Sequence, residues 1–202
     1  LEAVRVLSGL NFDYDIYFIL FSGEELGLYG SNYFVNEYIL PEGKFVKGMV
    51  DFDMIGYNPY DFLFYYMQGM ESSNPLKEFF VANDHVVAVL RNYLVGSAPG
   101  SDHYPFELAG FQACFTIEVY QNPFCHSIYD SLVQLNINLT ENLAKSGIST
   151  IYTLANFPDH IDEIELSDNG DSTVTVEWEL KSNYDITGYN VYYKTLQDTS
   201  WD

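Results

Sequence analysis

An apolar run that ends at two adjacent glutamates constrains this chain more than any other feature. The run covers Ile16–Phe21, long enough for a strand buried on both faces, and a Ser-Gly pair ends it. Glu24 and Glu25 come next, followed by a segment with helical character. We therefore predict a buried strand over residues 15–22, with paired carboxylates placed where that strand ends.

Strands and helices alternate along the first three-quarters of the chain. The predicted strands cover residues 15–22, 45–55, 62–68 and 111–119, and the predicted helices cover residues 25–39, 74–94 and 141–156. This alternation, with continuous apolar strands, is typical of a mostly parallel sheet covered by helices on both faces. The predicted fold class is α/β, with three layers in the order α/β/α.

Two helices carry finer predictions. In the first helix after the glutamates, the large side chains of Tyr29, Tyr33 and Phe34 are expected to face the core. For the last helix, Asn138 and Glu141 have the spacing of a capping box, which predicts that the helix begins there.

After residue 157 the pattern changes to period-two alternation. The segments DSTVTVEWEL and ITGYNVYYKT are separated by a polar turn, which predicts antiparallel strands. They resemble the opening strands of a fibronectin type III domain, with Trp178 and Tyr189 as core aromatic residues. Since such a domain needs about 100 residues, we predict two domains, 1–157 and 158–202, the second a partial β-sandwich.

Composition excludes several classes of partner. The net charge is −21 and the pI about 4.1, which argues against nucleic acid and anionic membranes as partners. Since the sequence has no run of 18 apolar residues, we predict no membrane span. The two cysteines permit a disulfide without requiring one, and the apolar surroundings of Cys114 predict a buried thiol.

Carboxylates and histidines gather at the predicted strand ends, where parallel α/β sheets bind their ligands. These residues are Glu24, Glu25, Asp53, Glu118 and His126, with Ser101, Asp102 and His103 at the start of a short helix. Oxygen and imidazole donors together suit zinc better than calcium or magnesium. A free glutamate beside a metal-activated water is the arrangement that metal-assisted hydrolysis needs.

Each of these residues, taken singly, has a structural explanation. Adjacent glutamates stabilise a helix start, because acidic side chains favour its positive end. An aspartate at a strand end can bond to the backbone, and a lone histidine is more often a surface or core residue than a ligand. Their joint position at one sheet edge is what indicates a site.

Four segments in order resemble peptidase family M28, the zinc aminopeptidases. They are SGEELGLYGS at 22–31, DFDMIGYN at 51–58, GSDHYPFELAGF at 100–111 and EVYQNPFCHSIYDS at 118–131. The resemblance covers residues 1–156 and implies that Glu24 is the general base and acid. It implies that Glu25 and His126 share one zinc ion and that Asp53 binds a second. The resemblance also gives a supporting role to Ser101, Asp102, His103 and Asp130. Of these, His103 would act by packing or from a position behind the ligands.

Two departures from the family pattern affect the expected activity. Family members carry a histidine and a bridging aspartate upstream of the glutamate pair, and no histidine precedes Glu24 here. Leu1, Val4, Leu7 and Leu10 recur at helical spacing, so we expect the chain to begin inside a helix, with the missing ligands before it. Cys125 also stands where many relatives have a tyrosine that steadies the oxyanion. We therefore expect these 202 residues to be inactive by themselves.

The resemblance implies a secreted or cell-surface zinc aminopeptidase acting on peptides with a free N-terminus. A carboxypeptidase or a glutaminyl cyclase of related build is the alternative that keeps the fold. A non-catalytic binding ectodomain on the same scaffold is the alternative from another class. Retention of Glu24, Glu25, Asp53 and His126 argues against that ectodomain, and Cys125 argues faintly for it.

Overall fold

The chain divides into two units, Leu1–Phe157 and Pro158–Asp202. A computed structural model describes residues 1–60, 63–88, 90–96, 99–156, 164–170 and 173–178. The second predicted strand of the C-terminal segment, with Tyr189, lies outside the described residues.

Short helices and strands alternate through the described part of the first unit. Its helices are α1 (Glu2–Leu7), α2 (Tyr29–Phe34), α3 (Asn74–Val87), α4 (Tyr104–Leu108) and α5 (Ile137–Asn156). Its strands are β1 (Met49–Phe52), β2 (Phe64–Gln68), β3 (Arg91–Val95) and β4 (Ala113–Glu118). A π-helix continues α2 over Val35–Ile39, and 3₁₀ turns cover Glu71–Ser73 and Leu132–Gln134.

The strands form one four-stranded sheet in the order β1-β4-β2-β3. Two of the three pairings, β1 with β4 and β2 with β3, are parallel, and β2 runs antiparallel to β4. The register of the first pair places Met49 opposite Ala113. The predicted α/β class with a mostly parallel sheet is therefore confirmed, while the reversal at β2 was not predicted.

Alternating side chains of β1 and β4 enter two separate apolar clusters. Val50 and Cys114 belong to a cluster with residues of α3 and α5. Met49 and Ala113 belong to a second cluster with Val35, on the π-helix, and residues of α4. Because successive side chains of a strand point to opposite faces, helices cover both faces of the sheet. Cys114 is fully buried, as predicted.

The predicted strand over residues 15–22 is wrong for the described structure. The segment is not paired with any described strand, and Leu20 is 93% exposed. A strand exists only through hydrogen bonds to neighbours, and an apolar sequence cannot supply those neighbours by itself.

Two predicted helices differ from the observed ones. The segment 25–39 becomes helical only at Tyr29. The side chains of Tyr29 and Tyr33 are 65% and 71% exposed, so they do not face the core as predicted. The helix predicted over 74–94 ends at Val87, and Arg91–Val95 forms the edge strand β3 instead. Pairing with β2 decides the structure of that segment, because tertiary contacts override a local helical pattern.

The last helix begins earlier than its predicted cap. Helix α5 starts at Ile137, so Asn138 lies inside its first turn. Asn136 is the residue whose side-chain oxygen accepts a hydrogen bond from the backbone N–H of Leu139, at 3.0 Å. That bond is the ordinary N-cap interaction, and it moves the capping role two residues toward the N-terminus.

The described part of the second unit is an antiparallel pair of strands. Strand β5 (Ile164–Asp168) pairs with β6 (Val174–Trp178), and Asp168 lies opposite Val174. Strand β6 falls within the predicted period-two segment, whereas β5 was not predicted. Among the helices of the described residues, none has the length and hydropathy needed to cross a bilayer.

Candidate active site

Strands β1 and β4 end at the same edge of the sheet, because they are parallel neighbours. Asp53 directly follows β1, and Glu118 is the last residue of β4. The loops after residues 21 and 118 bring Glu25 and His126 to this edge. We call it the acidic edge, defined by Glu24, Glu25, Asp51, Asp53, Asp102, Glu118 and His126.

Glu25 and His126 form the closest contact of the acidic edge. The Nε2 atom of His126 lies 3.0 Å from the Oε1 atom of Glu25. Both side chains are open to solvent, with 66% and 69% of their surfaces exposed. A carboxylate oxygen and an imidazole nitrogen at this separation can both reach one cation.

Glu24 lies beside this pair and is half-buried. Partial burial raises the pKa of the Glu24 carboxyl above its ordinary value, and the negative charges of Glu25, Asp53 and Asp102 raise it further. A carboxyl group with a raised pKa can accept and return a proton near neutral pH more readily than an ordinary glutamate.

Two serines hold the aspartates of the edge. Ser101 donates to Asp53 Oδ2 at 3.0 Å, and Ser31 donates to Asp102 Oδ1 at 2.5 Å. Burial raises the pKa of both aspartates, and each serine hydroxyl opposes that rise by stabilising the ionised form. These bonds fix the orientation of both carboxylates. Ser31 is the last residue of the motif that contains the two glutamates, but its partner could not be read from the sequence.

His103 and Asp51 lie behind the exposed part of the edge. The His103 ring is fully buried and stacks on Phe115 with ring centroids 5.0 Å apart. Its Nδ1 lies 3.8 Å from Asp51 Oδ2, and its backbone N–H donates to the same oxygen at 3.2 Å. Asp51 was not predicted as a site residue. The signal was its two-residue spacing from Asp53, which places both on one face of a strand.

Glu118 anchors the loop that leaves β1. Its Oε2 accepts from the backbone N–H groups of Gly56 at 3.0 Å and Tyr57 at 2.5 Å. Burial raises the pKa of Glu118, and these two bonds act in the opposite direction. With its carboxylate bonded to the backbone in this way, Glu118 holds the loop in place.

Asp130 and Cys125 lie in the loop that carries His126. Asp130 accepts from the side-chain amide of Asn122 at 3.2 Å. Cys125 is a half-buried free thiol, and burial raises its pKa. The hydrogen bond of Asp130 is therefore made within its own loop, and it stabilises that loop.

Three residues with left-handed backbone adjoin the predicted ligands. Leu28, Met54 and His126 have φ values of 59°, 50° and 60°. Leu28 comes three residues after Glu25, Met54 directly follows Asp53, and His126 is itself a predicted ligand. Such conformations cost roughly 1–3 kcal/mol for residues other than glycine and are concentrated at functional sites. Their position on three separate loops of one edge is independent support for a site there.

The donor set of the edge fits zinc in chemistry but is incomplete among the described residues. Glu25 and His126 are suitable first ligands, and Asp53 supplies a further carboxylate nearby. Within the part of the chain that the structure describes, no three such residues converge closely enough to hold a metal ion.

Comparison with known proteins identifies the family of the chain. Residues 1–150 match the family described as Peptidase family M28, so the chain belongs to that family. A search among curated protein sequences found no match.

Solved aminopeptidases share the fold of the first unit. LapA aminopeptidase of Legionella pneumophila is 27% identical, with a TM-score of 0.68 over 77% of this chain and 44% of that chain. BSAP, a zinc aminopeptidase from Bacillus subtilis, is 25% identical, with a TM-score of 0.69 over 77% and 39%. The aminopeptidase from Aneurinibacillus sp. strain AM-1 is 28% identical, with a TM-score of 0.64 over 78% and 38%. This chain spans less than half the length of each.

Proposed function

We propose that the protein is a zinc-dependent aminopeptidase that removes N-terminal residues from peptides. The observation that carries the proposal is the contact of Glu25 with His126 at 3.0 Å. The side-chain carboxyl of Glu24 lies beside this pair and makes no side-chain hydrogen bond among the described residues. Likeness to zinc aminopeptidases of the same family supports the choice of metal and of substrate.

Each residue of the acidic edge has a role in this proposal. Glu25 and His126 would hold one zinc ion, and Asp53, oriented by Ser101, would hold the second. Zinc, when bound, polarises the carbonyl of the scissile bond and lowers the pKa of water. Glu24 accepts the proton of the attacking water and passes it to the leaving amine, a task that suits its raised pKa. Asp102, held by Ser31, and His103, packed on Phe115, keep the loop of Ser101 in position.

The 202-residue chain is proposed to be inactive by itself. Its described residues do not bring three donors together, whereas a catalytic zinc needs three protein ligands. A secreted or cell-surface location is part of the same proposal, supported by the net charge of −21 and the fibronectin-like C-terminal segment.

The test is hydrolysis of leucine p-nitroanilide with added zinc, by the chain as given and by a version extended upstream of Leu1. Activity in the extended version alone supports the proposal. In that version, Glu24→Gln is expected to lower kcat by at least about 100-fold while zinc binding is kept, because a general base contributes about 10²–10⁴. Glu37→Gln removes an exposed carboxylate from the π-helix and serves as the matched control.

The other outcomes separate the alternatives. Zinc binding without hydrolysis in the extended version indicates a related carboxypeptidase or glutaminyl cyclase. Neither zinc binding nor hydrolysis in either version favours a binding ectodomain and contradicts the proposal.

A further inference from the structure

The two adjacent glutamates lie on a short closed turn, residues 22–30, which we call the glutamate turn. The backbone N–H of Gly30 donates to the carbonyl of Ser22 at 2.9 Å and closes the turn. A side chain would not fit at Gly30, because its Cβ would lie 2.7 Å from the Ser22 carbonyl oxygen. The turn therefore depends on a close approach of its two ends, and helix α2 begins at its far end.

The backbone of Glu24 is held by the later half of this turn. Its carbonyl accepts from the N–H of Gly27 at 3.0 Å and from that of Leu28 at 2.9 Å. The backbone of Leu28 is in the left-handed region, with a φ of 59°, which is unfavourable for a residue with a bulky side chain. Contacts that hold these two residues therefore also fix the backbone from which the Glu24 carboxyl extends.

One side chain, that of Asn32, contacts both of these residues. Its Nδ2 donates to the carbonyl of Gly27 at 3.3 Å and to that of Leu28 at 2.9 Å. A side-chain amide nitrogen carries two protons, so both bonds can be made at once. The backbone N–H of Asn32 donates to the Leu28 carbonyl as well, at 2.9 Å. Asn32 thus holds the turn at the point where its backbone is left-handed.

Ser31 is another donor within reach of Leu28, but its hydroxyl has one proton and two acceptors. Its Oγ lies 2.5 Å from Asp102 Oδ1 and 3.2 Å from the carbonyl oxygen of Leu28. The shorter distance and the charge of an ionised carboxylate both favour donation to Asp102. Asn32 is therefore the side chain that is left to donate to the Leu28 carbonyl.

We propose that Asn32 is a positioning residue, which fixes the glutamate turn so that the carboxyls of Glu24 and Glu25 keep their place on the acidic edge. Its effect on catalysis rests on the proposed function, in which these carboxyls move a proton and bind zinc. A displacement of about 1 Å can lower a rate by about 100-fold. Its effect on the turn does not depend on that function, because the hydrogen bonds lie within residues 27–32.

Asn36 provides a matched control on the π-helix that continues α2. Its Nδ2 donates to the carbonyl of Asn32 at 2.9 Å, which is the same four-residue spacing as the bond from Asn32 to Leu28. The acceptor of Asn36 lies within α2 and not at a left-handed residue. Substitution by leucine removes the amide at either position with little change of shape and no change of charge.

Amide hydrogen exchange, followed by NMR on the 202-residue chain, tests whether Asn32 holds the turn. In Asn32→Leu, the N–H groups of Gly27 and Leu28 are expected to exchange about 10-fold faster, the effect of losing roughly one hydrogen bond. Asn36→Leu should leave both exchange rates unchanged. Amides of α3 are the reference for general destabilisation. Equal acceleration in α3, or no acceleration at residues 27 and 28, overturns the proposal.

Kinetics in the version that hydrolyses leucine p-nitroanilide test the effect on catalysis. At saturating zinc, Asn32→Leu is expected to lower kcat about 10- to 100-fold with KM within about 2-fold, because a misplaced general base affects the reaction step. Asn36→Leu should keep the wild-type kcat. In a Glu24→Gln background, the same substitution of Asn32 should lower kcat by less than about 2-fold, because the group that it positions has been removed.

The outcomes separate this proposal from the proposed function. Hydrolysis with a wild-type kcat in Asn32→Leu overturns the positioning role and leaves the aminopeptidase proposal standing. Equal losses of kcat with and without the Glu24 carboxyl also overturn it, since Asn32 would then act on stability alone. Absence of hydrolysis in every version counts against the proposed function, and the exchange rates at residues 27 and 28 still decide whether Asn32 holds the turn.

Discussion

The middle of the sheet and its β1 edge differ in how completely their strands are paired. Around β2 and β4, the strands have partners on both sides, and the side chains of Tyr65, Met67, Phe80, Leu139 and Leu143 are fully buried. Around β1, one edge has no described partner, and Phe21 and Phe34 pack against each other at a centroid distance of 5.8 Å while remaining half-buried. Large apolar side chains are thus fully buried beside the strands that are paired on both sides, and only half-buried along the β1 edge.

The largest expected difference between the middle of the sheet and its β1 edge concerns truncation of an aromatic side chain. Phe80→Ala should lower the free energy of unfolding by about 3–5 kcal/mol, because it leaves a cavity in a fully buried cluster. Phe21→Ala should lower the free energy of unfolding by less than half as much, since its ring is only half-buried. Urea unfolding of both variants measures this. Equal losses of unfolding free energy would show that the β1 edge is as well packed as the middle of the sheet.

The core beside the central strands also contains a buried carboxyl group. Its protonation should change the free energy of unfolding. Asp84 is fully buried and accepts from Tyr65 at 3.1 Å and Ser146 at 2.8 Å. Burial raises its pKa above the value of about 3.9 expected in the unfolded chain. The folded state therefore binds the proton more tightly. This contribution is fully present below the unfolded pKa and is lost as pH rises through the folded one.

Asp84→Asn should remove that pH dependence while keeping an acceptor for Ser146. At pH 7 the variant is expected to be more stable than the wild type by about 1–2 kcal/mol, because no charge is buried. The difference should shrink as the pH is lowered toward 4. Asp13→Asn, at an exposed position, is the control. A difference that is constant between pH 4 and 7 would count against a titrating Asp84.

Capping of α5 gives a smaller effect. Asn136→Ala should lower the free energy of unfolding by about 1 kcal/mol, because its side chain accepts from the N–H of Leu139. Asn138→Ala, at an exposed position within the first turn, should change it by less than about 0.5 kcal/mol. Thermal unfolding of the pair discriminates the observed helix start from the one predicted by the capping-box pattern. A larger loss for Asn138→Ala than for Asn136→Ala would favour the helix start predicted from the capping-box pattern.

The acidic edge should contribute least to stability. Glu25→Gln is expected to change the free energy of unfolding by less than about 0.5 kcal/mol, since Glu25 and His126 are largely exposed and exposed ion pairs contribute little. Guanidinium unfolding without metal measures it. A loss above about 1 kcal/mol would mean that the pair holds the two loops together.

The sequence predicted those parts of the fold that depend on local pattern. The runs at β1, β2 and β4 and the helix α5 were found because continuous apolar residues mark buried elements. The segment 15–22 has the same pattern but lacks described neighbours. The edge strand β3 was missed because Arg91–Val95 reads as the end of a helix until β2 is beside it.

For the candidate site, one contact between predicted residues is observed, and the roles of those residues stay a prediction. Glu25 and His126 were predicted as ligands of one zinc ion from two separate sequence motifs, and the fold brings them into contact. Asp51 and Ser31 were missed, because their roles come from partners in the segment 101–103, some 50 to 70 positions away. Pairings of that kind have no local signal in the sequence, since only the folded sheet creates them.

The contact between Glu25 and His126 also has a consequence for the order of events during synthesis. Its two members are separated by about a hundred residues, and the register of β1 with β4 joins residues that are similarly remote. Contacts of such long range form late, because the chain between them must first be closed into a loop. On the ribosome, Glu24 and Glu25 emerge long before His126. The acidic edge is therefore assembled only when nearly the whole of the first unit has been made, and no earlier folding intermediate can present it.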